Sequence, residues 1–196
     1  MAGNTPKRIG VLAFQGDVRE HSAVLTSLGA EAIEVRKPEQ LNGLDGMIIP
    51  GGESSVIDKL SRMFGVFEPL QRKIAEGFPV YGTCAGLIML SDRVLGAIEG
   101  QQSFGGLDIT VQRNAFGSQI DSFETMLDAP AVAAEPIRTM FIRGPIVQQT
   151  GPDVQILASL SDGTVVAVQQ GKLMGTSFHP EIIGETRFHQ YFLNLI

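Results

Sequence analysis

Three residues of types that do covalent and proton-transfer chemistry stand out by their settings: Cys84, His179 and Glu181. Cys84 is the sole cysteine of the chain and lies in Val80-Tyr81-Gly82-Thr83-Cys84-Ala85-Gly86-Leu87. An apolar strand signal precedes it and an apolar helix signal follows. Glycines stand two residues before and two after it, which is the pattern of a nucleophile elbow. A turn that sharp strains its central residue and leaves almost no room for side chains beside it. It also brings the sulfur to a helix N-terminus, where partial positive charge favours thiolate. The competing reading, an ordinary buried cysteine, does not account for the paired glycines.

A cysteine nucleophile needs a base, and the base needs an orienting group. The chain has three histidines. His21 sits between charged neighbours in a helical stretch and reads as solvated. His189 lies beside Phe188, where packing and exposure explain it equally well. His179 follows an apolar strand and precedes Pro180-Glu181. Residues i and i+2 of extended chain project to one side, so Glu181 is placed to hold the imidazole, with Pro180 restricting the backbone between them. The third requirement is a set of donors for a tetrahedral oxyanion. Pro50-Gly51-Gly52-Glu53-Ser54 follows a strand signal, and its glycines let backbone N–H groups turn toward a ligand. A phosphate-binding reading lacks the accompanying Walker or Gly-x-Gly-x-x-Gly pattern. No metal site is expected, since His179 and Glu181 form the only close ligand pair in sequence.

These groups must be carried by a scaffold. At 196 residues, with 43% hydrophobic and 18% charged, the chain reads as one globular domain spanning 1–196. Ile9–Phe14, Ala32–Val35, Met47–Ile49 and Val80-Tyr81 read as buried parallel strands. Between them, helices are expected from Asp17 (as N-cap) to Leu28 and from about Val66 to Glu76, with Val18, Ala23, Leu25 and Leu28 facing the sheet. After about Ser103 the texture changes to short strands at Leu107–Arg113, Ser118–Phe123, Thr139–Ile142, Gln155–Leu160, Thr164–Gln169 and Lys172–Phe178. Asp162-Gly163 is a hairpin signal. A closing helix runs from Glu185 to Leu195. The expected fold is α/β: an open, mainly parallel sheet flanked by helices with a flavodoxin-like core, extended by a mixed or antiparallel region. A net charge of −6 without a basic cluster argues against a nucleic-acid partner. One cysteine, no apolar leader and no membrane-length run point to a cytoplasmic protein.

The order Cys, His, Glu with GTCAG, PGGES and FHPE resembles the class I (triad) glutamine amidotransferases. GVLAFQGDVREH (10–21), PGGESS (50–55), VYGTCAGLIML (80–90), RNAFGSQIDSFE (113–124), FIRGP (141–145) and SFHPE (177–181) are most similar to the glutaminase subunits of pyridoxal 5′-phosphate synthases. The segment EGQQSFGG (99–106) departs from that pattern. The resemblance implies that Cys84 attacks the side-chain amide of L-glutamine, with His179 as acid and base and Glu181 orienting it. It also implies that the N–H groups of Gly52 and Ala85 form the oxyanion hole. Gly51, Gly52, Glu53, Arg113, Ile142 and Arg143 match glutamine-binding positions. No cofactor is implied. With no room for an acceptor domain after the closing helix, the ammonia is expected to pass to a separate (β/α)8-barrel synthase subunit, docked near Gln15, Asp17, Arg19 and His21. Gly51-Gly52 is flexible enough for partner contact to turn its peptide. Other readings are the glutaminase subunit of another amidotransferase, such as imidazole glycerol phosphate synthase, and a non-catalytic regulatory subunit on the same fold.

Overall fold

The computed structural model describes residues 5–113 and 122–196. In chain order the strands are β1 (Arg8–Leu12), β2 (Glu31–Val35), β3 (Gly46–Ile49), β4 (Val80–Thr83), β5 (Ser91–Leu95), β6 (Leu107–Gln112), β7 (Ser122–Leu127), β8 (Ile137–Ile142), β9 (Ile146–Thr150), β10 (Gln155–Ser159), β11 (Val165–Gln170) and β12 (Leu173–Thr176). The helices are α1 (Val18–Ser27), α2 (Ser54–Met63), α3 (Phe67–Ala75), α4 (Ala85–Leu90) and α5 (Arg187–Asn194), with short 3-10 turns at Pro38–Leu41 and Glu181–Ile183.

Ten strands form one sheet in the order β2-β1-β3-β4-β12-β11-β9-β6-β5, with β10 paired to β11; β7 and β8 form a separate hairpin. The first five are mutually parallel, and β12 turns antiparallel to β11, so the expected parallel core with a mixed extension is what forms. The Asp162-Gly163 hairpin joins antiparallel β10 and β11, with Gly163 at φ 88° and Thr164 N–H donating to Asp162.

Alternation along the strands feeds two cores. Met47, Ile49, Val80 and Leu173 pack on one face with residues of α2, α3 and α4. Ile9, Val11, Ile48, Tyr81 and Met174 pack on the other with Leu25 of α1 and Phe188 and Phe192 of α5. This is what period-two side chains do in a sheet covered on both sides.

Four local expectations are corrected. Ala23 is exposed and Val24 takes its place in the core. Asp17 precedes α1 but its carboxylate caps no helix N–H. The stretch after Pro50 enters helix α2 at once, with Glu53 accepting from Ser55 N–H at its start; the buried face of that helix includes Ser54, Asp58 and Ser61 beside Ile57, while Val56 and Met63 of its apolar stripe are exposed. Strands β5 and β9 were not expected, being short and largely exposed on their outer parts. Of the strand expected over 118–123, residues 118–121 lie outside the described residues, as does Asn114.

Candidate functional site

Parallel register determines where the reactive groups meet. Thr176 of β12 pairs with Thr83 of β4, Ile49 of β3 with Gly82, and Ile48 with Val11 of β1. The segments leaving β1, β3, β4 and β12 therefore emerge on one edge of the sheet. They are Gln15–Asp17, Pro50–Glu53, Cys84 and Ser177–Glu181, and the carboxyl edge of an open α/β sheet is where such folds build sites.

Cys84 occupies the elbow at φ 49° and ψ −102°, at the N-cap of α4, with its N–H donating to Thr176 O at 2.7 Å. Its flanking glycines are required by space. A Cβ on Gly86 would lie 2.0 Å from the Ile49 carbonyl oxygen, and one on Gly82 2.4 Å from the Gly86 backbone. Cys84 keeps 8% of its surface accessible, whereas Thr83 and Thr176 have none.

His179 is also nearly buried. Its Nδ1 lies 2.8 Å from Glu181 Oε1 and 3.2 Å from Asp17 Oδ2, and its backbone N–H donates to Met140 O within β8. Burial disfavours the imidazolium, but hydrogen bonds to Asp17, Cys84 and Glu181, with the charge of Cys84, outweigh it and push the pKa up to about 12. The site is thus built to hold a charged imidazole beside the sulfur. Glu181 is itself raised by burial, with His179 pulling the other way. Asp17, His179 and Glu181 bring potential ligand atoms within 4.8 Å of one another. The 2.8 and 3.2 Å separations are those of one ring N–H shared by two carboxylates.

The loop after β3 closes over this group. A Cβ on Gly51 would sit 2.2 Å from His179 Cε1, and one on Gly16 would sit 1.7 Å from the Gly51 oxygen. Gly52 has φ 138°, and Glu53 N–H donates to Gln15 Oε1 at 2.9 Å. Glu53 in turn holds Arg113, whose Nη2 is 2.6 Å from Oε1, while Arg113 Nη1 donates to Gln101 Oε1 at 2.8 Å. Gln101, in the segment 99–106, also donates to Ser54 Oγ. Glu53 and Gln101 thus hold different nitrogens of the Arg113 guanidinium.

Arg143 follows β8 with an exposed side chain and φ 41°. It and Cys84 are the only non-glycine residues at positive φ among the described residues. Strain of that kind concentrates at functional positions. Ile142, half-buried, ends β8, the strand tied to His179 through Met140.

The expectation for His21 fails. His21 does not face a partner: it is fully buried, with Nδ1 2.8 Å from His189 Nε2, Nε2 3.1 Å from Thr83 Oγ1 and 3.5 Å from Glu181 Oε1. Arg19 is exposed and Gln15 and Asp17 are half-buried, but Gln15 and Asp17 spend their polar groups on the site. The periodic signal for His21 was present, since it lies three residues after Val18 and four before Leu25 on the core-facing stripe of α1. The pairing of Asp17 with His179 spans the whole fold and leaves no local sequence signal.

The chain as a whole is similar to known proteins. A protein named pyridoxal 5′-phosphate synthase subunit PdxT from Leifsonia xyli subsp. xyli (strain CTCB07) is 58% identical over 98% of this chain and 96% of its own. One of the same name from Clavibacter sepedonicus is 57% identical over 100% and 97%. A crystal structure described as a glutamine amidotransferase superposes with TM-score 0.89 at 45% identity, covering 95% of this chain and 97% of its own. A Thermoplasma acidophilum protein described as a putative GMP synthase subunit, 18% identical with TM-score 0.68, shares the fold over 98% of this chain and 94% of its own. The profile of the SNO glutamine amidotransferase family matches residues 11–196, and the chain belongs to that family.

Proposed function

We propose that the chain is the glutaminase subunit of a pyridoxal 5′-phosphate synthase, a single domain that hydrolyses L-glutamine and passes ammonia to a (β/α)8-barrel synthase subunit in the cytoplasm. The observation that carries the reading is the convergence of Cys84, His179 and Glu181 on one sheet edge, in a chain 58% identical to a protein bearing that subunit's name.

In this mechanism Cys84 Sγ attacks the carboxamide carbon of glutamine. The oxyanion is held by the N–H groups of Gly52 and Ala85. His179 gives its proton to the departing nitrogen, releasing ammonia and leaving a γ-glutamyl thioester. The same imidazole then takes a proton from water, which attacks the thioester and releases glutamate. Glu181 keeps the ring oriented throughout.

Glu53 and Arg113 set a carboxylate beside a guanidinium, which suits the zwitterionic α-amino acid head; Gly51, Ile142 and Arg143 complete the glutamine site. Arg113→Ala is expected to raise KM for glutamine about 10- to 100-fold, the loss of one charge-assisted contact, with kcat falling less. Initial-rate kinetics check this; a fall confined to kcat would remove Arg113 from the binding site.

Gly52 at φ 138° gives the peptide before it room to turn, so partner contact at Gln15, Asp17, Arg19 and the glycine loop completes the oxyanion hole. The experiment is reconstitution with the synthase subunit. Pyridoxal 5′-phosphate should form with glutamine as nitrogen donor, and glutamine hydrolysis should speed up on mixing. Hydrolysis already at full rate in the isolated chain would count against the turn, and no glutamine-dependent product would count against the assignment.

A further inference from the structure

Behind the catalytic edge lies a buried pair of imidazoles that the hydrolytic cycle does not use. His21 on α1 and His189 on α5 are both fully buried, 2.8 Å apart from Nδ1 to Nε2. The other nitrogen of His21 approaches Thr83 Oγ1 at 3.1 Å and Glu181 Oε1 at 3.5 Å. Among the described residues, His189 Nδ1 has no hydrogen-bond partner.

Those contacts order the protons. Two buried rings in contact stay neutral, and burial together with His189 and His179 drives His21 well below its ordinary value, while burial drives His189 down to about 3. Each ring then carries one proton. A buried N–H without an acceptor is rarer than a buried lone pair without a donor, so the unpartnered Nδ1 of His189 is the bare nitrogen. His189 therefore carries its proton on Nε2 and donates it to His21 Nδ1. That leaves His21 protonated on Nε2, the nitrogen aimed at Thr83 and Glu181.

We propose that His21, its tautomer set by His189, is a positioning residue of the triad: its Nε2–H, bonded to Thr83 Oγ1, lies 3.5 Å from Glu181 Oε1, the oxygen that also meets His179. The inference rests on Cys84, His179 and Glu181 being the triad. Glu181 is fully desolvated at its side chain and, among the described residues, its Oε2 has no hydrogen-bond partner, so the loss of the nearby His21 N–H dipole falls on a carboxylate with few donors. The other titratable groups facing the relay are His179 and Asp17 at the site, Tyr81 on β4, whose ring meets His189 edge-on at 5.5 Å, and Glu185 ahead of α5.

With three histidines in the chain, nitrogen NMR of histidine-labelled protein reads each ring separately. Between pH 6 and 8.5 both His21 and His189 should be neutral and protonated on Nε2. In the complex with the synthase subunit, His21→Phe should lower kcat/KM about 10- to 100-fold with KM for glutamine little changed. Losing that nearby N–H dipole favours the neutral carboxyl, so the acid limb of the profile should move to higher pH by about one unit. His21→Gln, which restores an N–H near the Nε2 position, should recover most of the rate and return the limb. A proton on His21 Nδ1, a charged His21, equal damage in the Phe and Gln variants, or no effect in either overturns the proposal. Should the Phe variant not fold, the tautomers and the Gln variant decide. Glu181→Gln run in parallel separates the two levels: if it is inactive while the His21 variants are normal, only the relay fails, and if it is fully active the triad assignment fails beneath it.

Discussion

Cys84→Ala is expected to abolish glutamine hydrolysis, lowering kcat by about 10⁴- to 10⁶-fold, while glutamine still binds. The sulfur is the atom that would carry the γ-glutamyl group, and nothing else at the elbow can form that bond. The backbone should survive the change. Alanine meets the same φ of 49° as cysteine, and the neighbours that enforce the turn, Gly82, Gly86 and the Ile49 carbonyl, are untouched. The variant also removes a hydrogen bond and a charge that raise His179, so the imidazole should titrate below its native value of about 12. Isothermal titration with glutamine, a hydrolysis assay and histidine NMR check the three parts. Turnover within tenfold of the native chain would exclude Cys84 as the nucleophile.

The parts of the site that could be read in the sequence are those where local pattern and chemistry coincide. Apolar runs at Ile9–Phe14, Met47–Ile49 and Val80-Tyr81 mark buried parallel strands, and each is followed at once by glycine and a polar group. In a parallel sheet those groups share an edge, so Gln15, Gly51, Cys84 and His179 could be brought together from order alone. Where polar residues point inward the same reasoning failed. Helix α2 buries Ser54, Asp58 and Ser61 and leaves Val56 and Met63 exposed, and the charged neighbours of His21 mask its place on the stripe with Leu25. Asp17 shows the remaining limit. A helix-start aspartate has a local use as a cap, and only folding reveals that its carboxylate goes instead to an imidazole 162 positions away. Gln101, too, acquires its role toward Arg113 only once the 99–106 segment has folded against α2.

The glycine loop offers the second large effect. Gly51→Ala should lower kcat about 10²- to 10³-fold, with KM changing much less and the chain remaining folded. The added methyl would start 2.2 Å from His179 Cε1, 3.0 Å from Nδ1 and 3.2 Å from Asp17 Oδ2, so something must move. The ring cannot yield freely, being held at Nδ1 by Glu181 and Asp17 and at its backbone by Met140. If it tilts, the proton donor leaves its line to the substrate nitrogen. If the loop retreats instead, the Gly52 N–H leaves the oxyanion. Both routes act on the transition state and spare the head-group contacts proposed for Glu53 and Arg113, which is why the loss belongs in kcat. Gly51 is not among the positive-φ glycines, so alanine adds no backbone strain there, and overpacking of about 1–3 kcal/mol is partly offset by the less flexible unfolded chain. Steady-state kinetics beside a thermal melt separates the two costs. A kcat within about threefold of native would mean that the working enzyme holds its imidazole away from Gly51, and the oxyanion hole would then have to be sought elsewhere on the sheet edge.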